Sequence, residues 1–229
     1  MKVAILGTGM VGRAIAAKLI ELGEEVSIGT RNAENTLAKN EPDGYGNPPF
    51  KDWLANHTKI KLNTFKDAVL DAELVFNCTG GMVSISALEM VGDEHLGDKL
   101  LIDVANPLDF SEGMPPSLNP VNTDSLGEQI QRRFPKVKVV KALNTMNAQL
   151  MVEPSLISGD HHVFICGNEE AAKRQTQEIL QSFGWKESQI LDLGDITNSR
   201  GTEMLLPIWL RIWGALGTSQ FNFHIQKNG

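Results

Sequence analysis

Positive charge is scarce in this chain and never clustered: 21 Lys and Arg stand against 28 Asp and Glu in 229 residues, a net charge of −7 at pH 7. Without a basic patch to neutralise phosphates, nucleic acid and anionic membrane surfaces are excluded as main partners. Cysteine is nearly absent. Cys78 and Cys166 each fall in an expected strand with no C-x-x-C partner and no metal-ligand spacing, so both read as small buried core residues. His161 and His162 are adjacent at a strand entry, which sends their side chains to opposite faces and keeps them from sharing a metal. No metal site is expected. The most apolar stretch, 203–214, is shorter than the ~20 residues a bilayer span needs and contains Pro207 and Arg211. The first apolar run starts two residues from Met1, which leaves no room for a secretory leader, so a cytoplasmic location is expected. Internal repeats and low-complexity tracts are also missing. A 41% apolar and 21% charged composition is that of a soluble globular chain with one substantial core and a small appendage.

What is present is concentrated in residues 2–32. Val3-Ala4-Ile5-Leu6 is an apolar run suited to a strand buried on both faces. Gly7-Thr8-Gly9-Met10-Val11-Gly12 follows at once, and then Val11, Ile15, Leu19 and Leu22 recur at helical spacing up to a stop at Gly23. Val26 and Ile28 open a second strand. The three glycines serve different ends. Gly7 makes the turn, Gly9 lets backbone N–H groups approach a pyrophosphate at the helix N-terminus, and Gly12 lets helix and strand pack closely. The alternative is a domain that keeps the turn without the ligand.

The end of the second strand selects the dinucleotide. An NAD site places Asp or Glu about 20 residues past the glycines, to take the ribose hydroxyls. Here that place reads Gly29-Thr30-Arg31-Asn32. No carboxylate stands there to repel a phosphate; Arg31 offers a planar fork and Thr30 a hydroxyl donor, which points to NADP, the alternative being a solvated arginine and a turn threonine.

Strand and helix patterns then alternate. A short helix is expected over 35–39, a Pro/Gly/Asn-rich insertion over 41–50, and a helix around Trp53 and Leu54. The insertion, with the chain's only tyrosine, Tyr45, reads as a lid, an oligomer contact or a tolerated loop. Strands are expected at 60–63, 74–78, 100–104, 137–141, 163–166 and 190–193, and helices at 66–70, 84–90, 125–133 and 169–183. This is an α/β Rossmann-type, doubly wound and mainly parallel sheet. The strand ends deliver Thr79-Gly80-Gly81, Asn106-Pro107 and Asn144-Thr145-Met146 to one edge, where the first group passes beneath the cofactor and Asn106 either reaches the nicotinamide half or only closes an Asn-Pro turn. Residues 1–195 read as the NADP-binding domain. Residues 196–229, with an apolar helix that must be buried on more than one side, read as completing the cleft and forming a homodimer interface, the alternative being a helix that only caps the sheet of a monomer.

The glycine turn with Gly29-Thr30-Arg31, the segment Lys141-Ala142-Leu143-Asn144-Thr145, and Asn198-Ser199-Arg200 ahead of Glu203-Met204-Leu205-Leu206-Pro207 together resemble the family of NADP oxidoreductases dependent on coenzyme F420. The reductase domain of membrane-bound metalloreductases is similar too, and there the acceptor is a flavin. The resemblance implies hydride transfer between nicotinamide C4 and deazaflavin C5, usually in a homodimer. It assigns Thr8, Met10 and Val11 to the pyrophosphate, Thr30 and Arg31 to the 2′-phosphate, and Asn106, Pro107, Asn144, Thr145 and Met146 to the ring-stacking cleft. Archaeal members tend to carry a histidine where Asn144 stands, and they lack the insertion, which leaves the acceptor open between coenzyme F420 and a flavin.

Hydride transfer between two stacked rings needs little side-chain acid or base, because alignment at about 3–3.5 Å supplies much of the rate. The chain has no Tyr-x-x-x-Lys pair and no G-x-x-G-x-G-x-x-x-K stretch of the kind that serves hydroxyacid substrates; Lys141 is the isolated catalytic candidate that remains. Two classes of function stay open: an oxidoreductase with a small-molecule redox co-substrate, and a non-catalytic NADP(H)-binding module that senses redox state.

Overall fold

The computed structural model describes residues 1–44 and 46–228, so Tyr45 and Gly229 lie outside the described residues. Strand β1 (Lys2–Leu6) buries Val3 to Leu6 completely, as a strand covered on both faces must. Helix α1 (Met10–Glu21) turns Ile15, Ala16 and Leu19 inward, and the chain leaves it through Gly23 at φ 86°. Then come β2 (Glu25–Thr30), α2 (Ala33–Ala38), α3 (Phe50–Ala55), β3 (Lys61–Thr64), α4 (Phe65–Leu70) and β4 (Leu74–Asn77). Helices α5 (Gly81–Val91) and α6 (Asp93–Leu96) lead to β5 (Leu100–Asp103) and a hairpin of β6 (Leu108–Asp109) and β7 (Ser117–Leu118). The rest is α7 (Leu126–Arg133), β8 (Lys138–Ala142), α8 (Ala148–Val152), β9 (Val163–Gly167), α9 (Glu170–Ser182), β10 (Ile190–Asp192) and α10 (Ser199–Leu216).

Eight strands make the main sheet in the order β10-β9-β8-β5-β4-β1-β2-β3. Strands β1 to β5 and β8 run parallel, and β9 turns antiparallel against β8. Leu6 stands level with both Gly29 and Asn77, so the strand ends open together on one edge where the strand order reverses between β1 and β4. One face of the sheet is covered by Ile15, Leu19, Ile179, Phe183 and Trp185, the other by Val69, Leu88, Ile130, Phe134 and Ile196. The doubly wound expectation holds.

The unexpected elements are short. A four-residue α6, a five-residue α8 and strands of two residues in the β6–β7 hairpin give no periodic signal. Helix α5 begins three residues before the expected start, because the Gly80-Gly81 pair, poor in helix propensity, hides its N-terminus. Helix α10 begins at Ser199, four residues early, since its first turn is polar and held by side chains rather than by an apolar stripe. Cys166 is wholly buried as expected, with burial pushing its thiol up to about 12, but Cys78 is half-buried and borders a cleft instead of filling the core. After α10 the chain folds back: Phe221 stacks on Trp209, and the Asn222 amide bonds the His161 ring and the His162 carbonyl.

Candidate functional site

Gly7 has φ 120° and a Cβ there would stand 2.5 Å from the Cys78 carbonyl oxygen, while a Cβ at Gly12 would stand 2.3 Å from the Gly7 oxygen. The turn therefore closes only with glycine at both positions. Gly9 differs from them: open space surrounds the place of its missing side chain, at the N-cap of α1, whose first turn carries no acidic residue. The unpaired N–H groups of that turn face an approach wide enough for an anion.

Beside the turn lies a cleft of ≈ 690 Å³, mostly apolar in its walls. Gly9, Met10 and Val11 bound it on one side, Thr79 and Gly80 on another, and Asn106, Asn144 and Met146 line its inner wall. Phe110 of the hairpin loop, Leu206 of α10, and Asp43 and Gly44 of the insertion complete it. Gly81 does more than pass near a ligand: a Cβ there would stand 2.1 Å from the Asn106 carbonyl oxygen, so glycine lets the Asn106-Pro107 turn rest on the start of α5.

The inner wall is cross-tied. The Asn106 amide donates to the Asn144 carbonyl at 2.7 Å, and the Asn144 amide donates to Asn106 Oδ1 at 2.9 Å. Leu143, at φ 64°, holds the left-handed backbone that aims Asn144 into this pair, a cost of roughly 1–2 kcal/mol for a side chain of that shape. Among the described residues Asn144 Oδ1 and Thr145 Oγ1 are buried without a hydrogen-bond partner. Pro107 and Thr145, expected on the cleft wall, are instead buried behind it.

Beneath the wall runs a buried polar network. Asn77 accepts from the Thr79 hydroxyl and donates to Asp103, and Asp103 pairs with Lys141 Nζ at 2.7 Å. Lys141 also donates to the Ala105 carbonyl and pairs with Glu203 at 2.7 Å, and Glu203 accepts the N–H groups of Leu126 and Gly127 at the start of α7. Burial pulls the Lys141 pKa down, but Asp103 and Glu203 outweigh it and leave it above its ordinary value. Lys141, considered as a catalytic residue from the sequence, is thus a locked cation without access to a ligand. It ties the ends of β5 and β8 to α10. The Asn198-Ser199-Arg200 segment docks the same helix: Ser199 Oγ meets Ser125 Oγ at 2.6 Å, and Arg200 grips Glu128 with two bonds of 2.7 and 2.5 Å.

A second hollow of ≈ 530 Å³ continues from Thr8 and Gly9, lined also by Arg13, Thr36, Lys39 and residues of the insertion. Thr30 and Arg31 lie at the end of β2 and line neither hollow. Arg31 is exposed. Thr36 donates its hydroxyl proton to the Asn32 carbonyl, so Thr30 gives its own proton to Thr36 at 2.9 Å and is not the donor expected from the sequence. Arg13 went unnoticed in the sequence. Its guanidinium donates to the Thr8 carbonyl at 2.9 Å and the Pro48 carbonyl at 2.7 Å and lies over the Phe50 and Trp53 rings, fastening the insertion to the glycine turn. The signal was there: an arginine on a helix otherwise apolar toward the body, directly after Gly12.

A glycine turn at the reversal point of a parallel sheet, opening on a cleft built from three further strand ends, is the architecture of the dinucleotide-binding class of α/β folds. The signature of the family described as NADP oxidoreductase coenzyme F420-dependent matches residues 2–107. A crystal structure at 1.70 Å of a chain assigned as an F420-dependent NADP-reductase from Arthrobacter sp. FB24 is 57% identical, covers 99% of this chain and all of that one, and superposes with a TM-score of 0.95. The F420-dependent NADP reductase of Methanothermobacter marburgensis is 25% identical over 93% of this chain and 92% of its own length. This chain belongs to the family of F420-dependent NADP oxidoreductases. It is also similar to Metalloreductase STEAP3 of Rattus norvegicus, 28% identical over 91% of this chain, but it spans only 38% of that protein's length. Among the described residues no helix is long and apolar enough to cross a membrane, and no cluster of His, Cys, Asp and Glu could hold a metal ion.

Proposed function

We propose that this chain binds NADPH and passes its hydride to a deazaflavin or flavin ring laid against the nicotinamide. The observation that carries the reading is the continuity of one cleft from the α1 N-terminus to the Asn106–Asn144 pair, which matches an extended dinucleotide with its reactive ring at the far end. The residues fit such a ligand. Gly9, Met10 and Val11 would hold the pyrophosphate with backbone N–H groups, and Arg31 would take the 2′-phosphate from beside Thr30. Asn144 Oδ1, buried and unpartnered, would accept from the carboxamide at the nicotinamide end.

When bound, the dinucleotide supplies the hydride and the acceptor ring takes it. The protein's own part is alignment and exclusion of water. Among the described residues the cleft is lined by no His, Lys, Arg or Tyr, Lys141 is fully paired, and the carboxylates that line it are Asp43 and Asp109. This suits hydride transfer between stacked rings, where positioning supplies most of the rate.

Anaerobic assays of NADPH, and separately NADH, with coenzyme F420 and with FMN test the reading through acceptor absorbance. NADPH-specific reduction of either ring supports it. NADPH binding with no ring reduced refutes it and favours the redox-sensing module. That second reading draws on α10, which sends Leu206 to the cleft while Met204, Ile208, Trp213 and Leu216 stay exposed. The same helix is the proposed homodimer contact.

A further inference from the structure

Past α10 the chain turns back along the molecule, and residues 219–225 are held at three places. The Ser219 carbonyl accepts from the side chain of Asn147, the N-cap of α8. Phe221 stacks on Trp209 of α10 with ring centroids 5.2 Å apart. The third place is the His161-His162 pair at the entry to β9. There the Phe223 carbonyl accepts the His162 N–H at 2.9 Å, and the Asn222 amide nitrogen reaches His161 Nδ1 at 3.0 Å and the His162 carbonyl at 2.9 Å. The Ile225 N–H reaches His162 Nδ1 at 3.1 Å.

These partners dictate the charge on both rings. The His162 carbonyl can only accept, so the Asn222 group facing it is the donor nitrogen, and that same nitrogen donates to His161 Nδ1. The Pro154 carbonyl also only accepts, so the His161 proton sits on Nε2, 3.1 Å from it, and Nδ1 is bare. For His162 the constraint is stricter, because a backbone N–H has no acceptor to turn toward the ring. A second proton on either ring would set one N–H against another and break the contact.

The surroundings resist that proton while the segment is in place. His161 is buried against the edge of Trp185, ring centroids 5.1 Å apart, with Asp160 the carboxylate nearest it in the chain. His162 faces the His224 ring at 5.3 Å and feels His161 and Lys227 as well, with Asp160 opposing them. Burial, and for His162 these basic neighbours next, hold both imidazoles below their ordinary 6.5.

We propose that residues 219–225 form an acid-released strap, docked only while His161 and His162 are both neutral, whose release loosens two walls of the cleft. Asn147 directly follows Met146, and Trp209 lies one helical turn past Leu206; Met146 and Leu206 both line the cleft. The docked state binds fewer protons than the released one. Docking is therefore full above 6.5 and is lost as pH falls from there through the lower, docked values, by about tenfold per pH unit for each histidine kept neutral. Only the effect on affinity rests on the dinucleotide reading; the strap itself does not.

The experiment records amide NMR spectra of the isotope-labelled full chain between about pH 7.5 and about pH 4.8, following the Ile225 backbone amide and the Asn222 side-chain amide. The range stays above 4.5, so the Arg200–Glu128 pair is intact throughout. Both signals are expected to move to solvent-like positions below about pH 6, with more than one proton taken up per release. His162→Asn sets a non-titrating oxygen near the place of Nδ1 and should make the transition about half as steep. Adding His161→Asn should keep the strap docked over the whole range, and His162→Lys should release it already at neutral pH. Signals of the unaltered protein that stay docked to the acid end, or a His162→Asn variant that releases at the same pH and as steeply, overturn the proposal. NADP+ affinity is measured by calorimetry at the same points. A loss about 5- to 50-fold greater in the unaltered protein than in the double variant supports the link to the cleft, and equal losses overturn it, since the nucleotide's own phosphate titrates alike in both. No NADP+ binding at neutral pH with the strap still releasing in acid would count against the dinucleotide reading and uphold the strap.

Discussion

Asn106 and Asn144 bond to each other twice, side-chain amide to backbone carbonyl at 2.7 Å and side-chain amide to side-chain oxygen at 2.9 Å, and so clamp the ends of β5 and β8 across the inner wall of the cleft. Because the two residues act as one unit, Asn106→Ala and Asn144→Ala are each expected to weaken NADPH binding, and the double variant to be little worse than either. A double-mutant cycle on NADPH affinity should return a coupling of about 0.5–3 kcal/mol. Additive losses would show that the clamp does not hold the ligand.

Arg31 is the exposed fork at the end of β2. Arg31→Ala is expected to cost NADPH about 1.5–3 kcal/mol of binding, roughly 10- to 100-fold, and to leave NADH nearly unchanged. Thr30→Val should leave that selectivity almost intact, because the Thr30 proton is already given to Thr36. Calorimetry with both nucleotides separates the two residues.

Arg13 joins the insertion to the glycine turn through two carbonyls and two rings. Arg13→Ala should speed limited proteolysis within 40–50 and lower stability by about 1–3 kcal/mol, and Arg13→Lys should not restore either, since a point charge cannot reach both carbonyls and stack. Mass spectrometry of the fragments locates the cut.

Lys141 sits between Asp103 and Glu203 with no exposure. Lys141→Met leaves two carboxylates buried without their cation and should cost about 3–5 kcal/mol in urea unfolding. The pH profile of any turnover that survives should keep its shape, because the group is structural. A profile that lost an ionisation would restore a catalytic role to Lys141.

Acid should loosen α10 from α7. The Arg200 fork holds the Glu128 carboxyl below its ordinary 4.5, so the stability from this pair is full above that value and is lost as pH falls through the lower, folded value. Trp209 and Trp213 on α10 report the loss as fluorescence. Glu128→Gln should flatten this part of the acid transition.

Most of the sheet was legible because buried strands and helix stripes are local and periodic; the site was legible in part. The glycine turn could be read since the Gly7 φ and the Gly7–Gly12 approach are made within six residues, while the close pass of Cys78 over Gly7 could not. The Thr30 hydroxyl gives its proton to Thr36, a partner that spacing cannot reveal. Pro107 and Thr145 were placed on the wall because they neighbour residues that line it, yet the left-handed Leu143 and the close packing at Gly81 turn them inward. Arg13 was overlooked because its carbonyl partners are 5 and 35 residues away.

The sequence by itself determined the doubly wound sheet, the turn for a dinucleotide, and the arginine in place of a carboxylate after β2, since each depends on spacing along a single strand–turn–helix unit. Only the tertiary structure decided that Lys141 is a strut, that Asn106 and Asn144 form one clamp, and that the insertion is held by Arg13. Those are meetings of side chains and surfaces far apart in the chain, and what brings them together is the packing of strand ends and helices at one edge of the sheet.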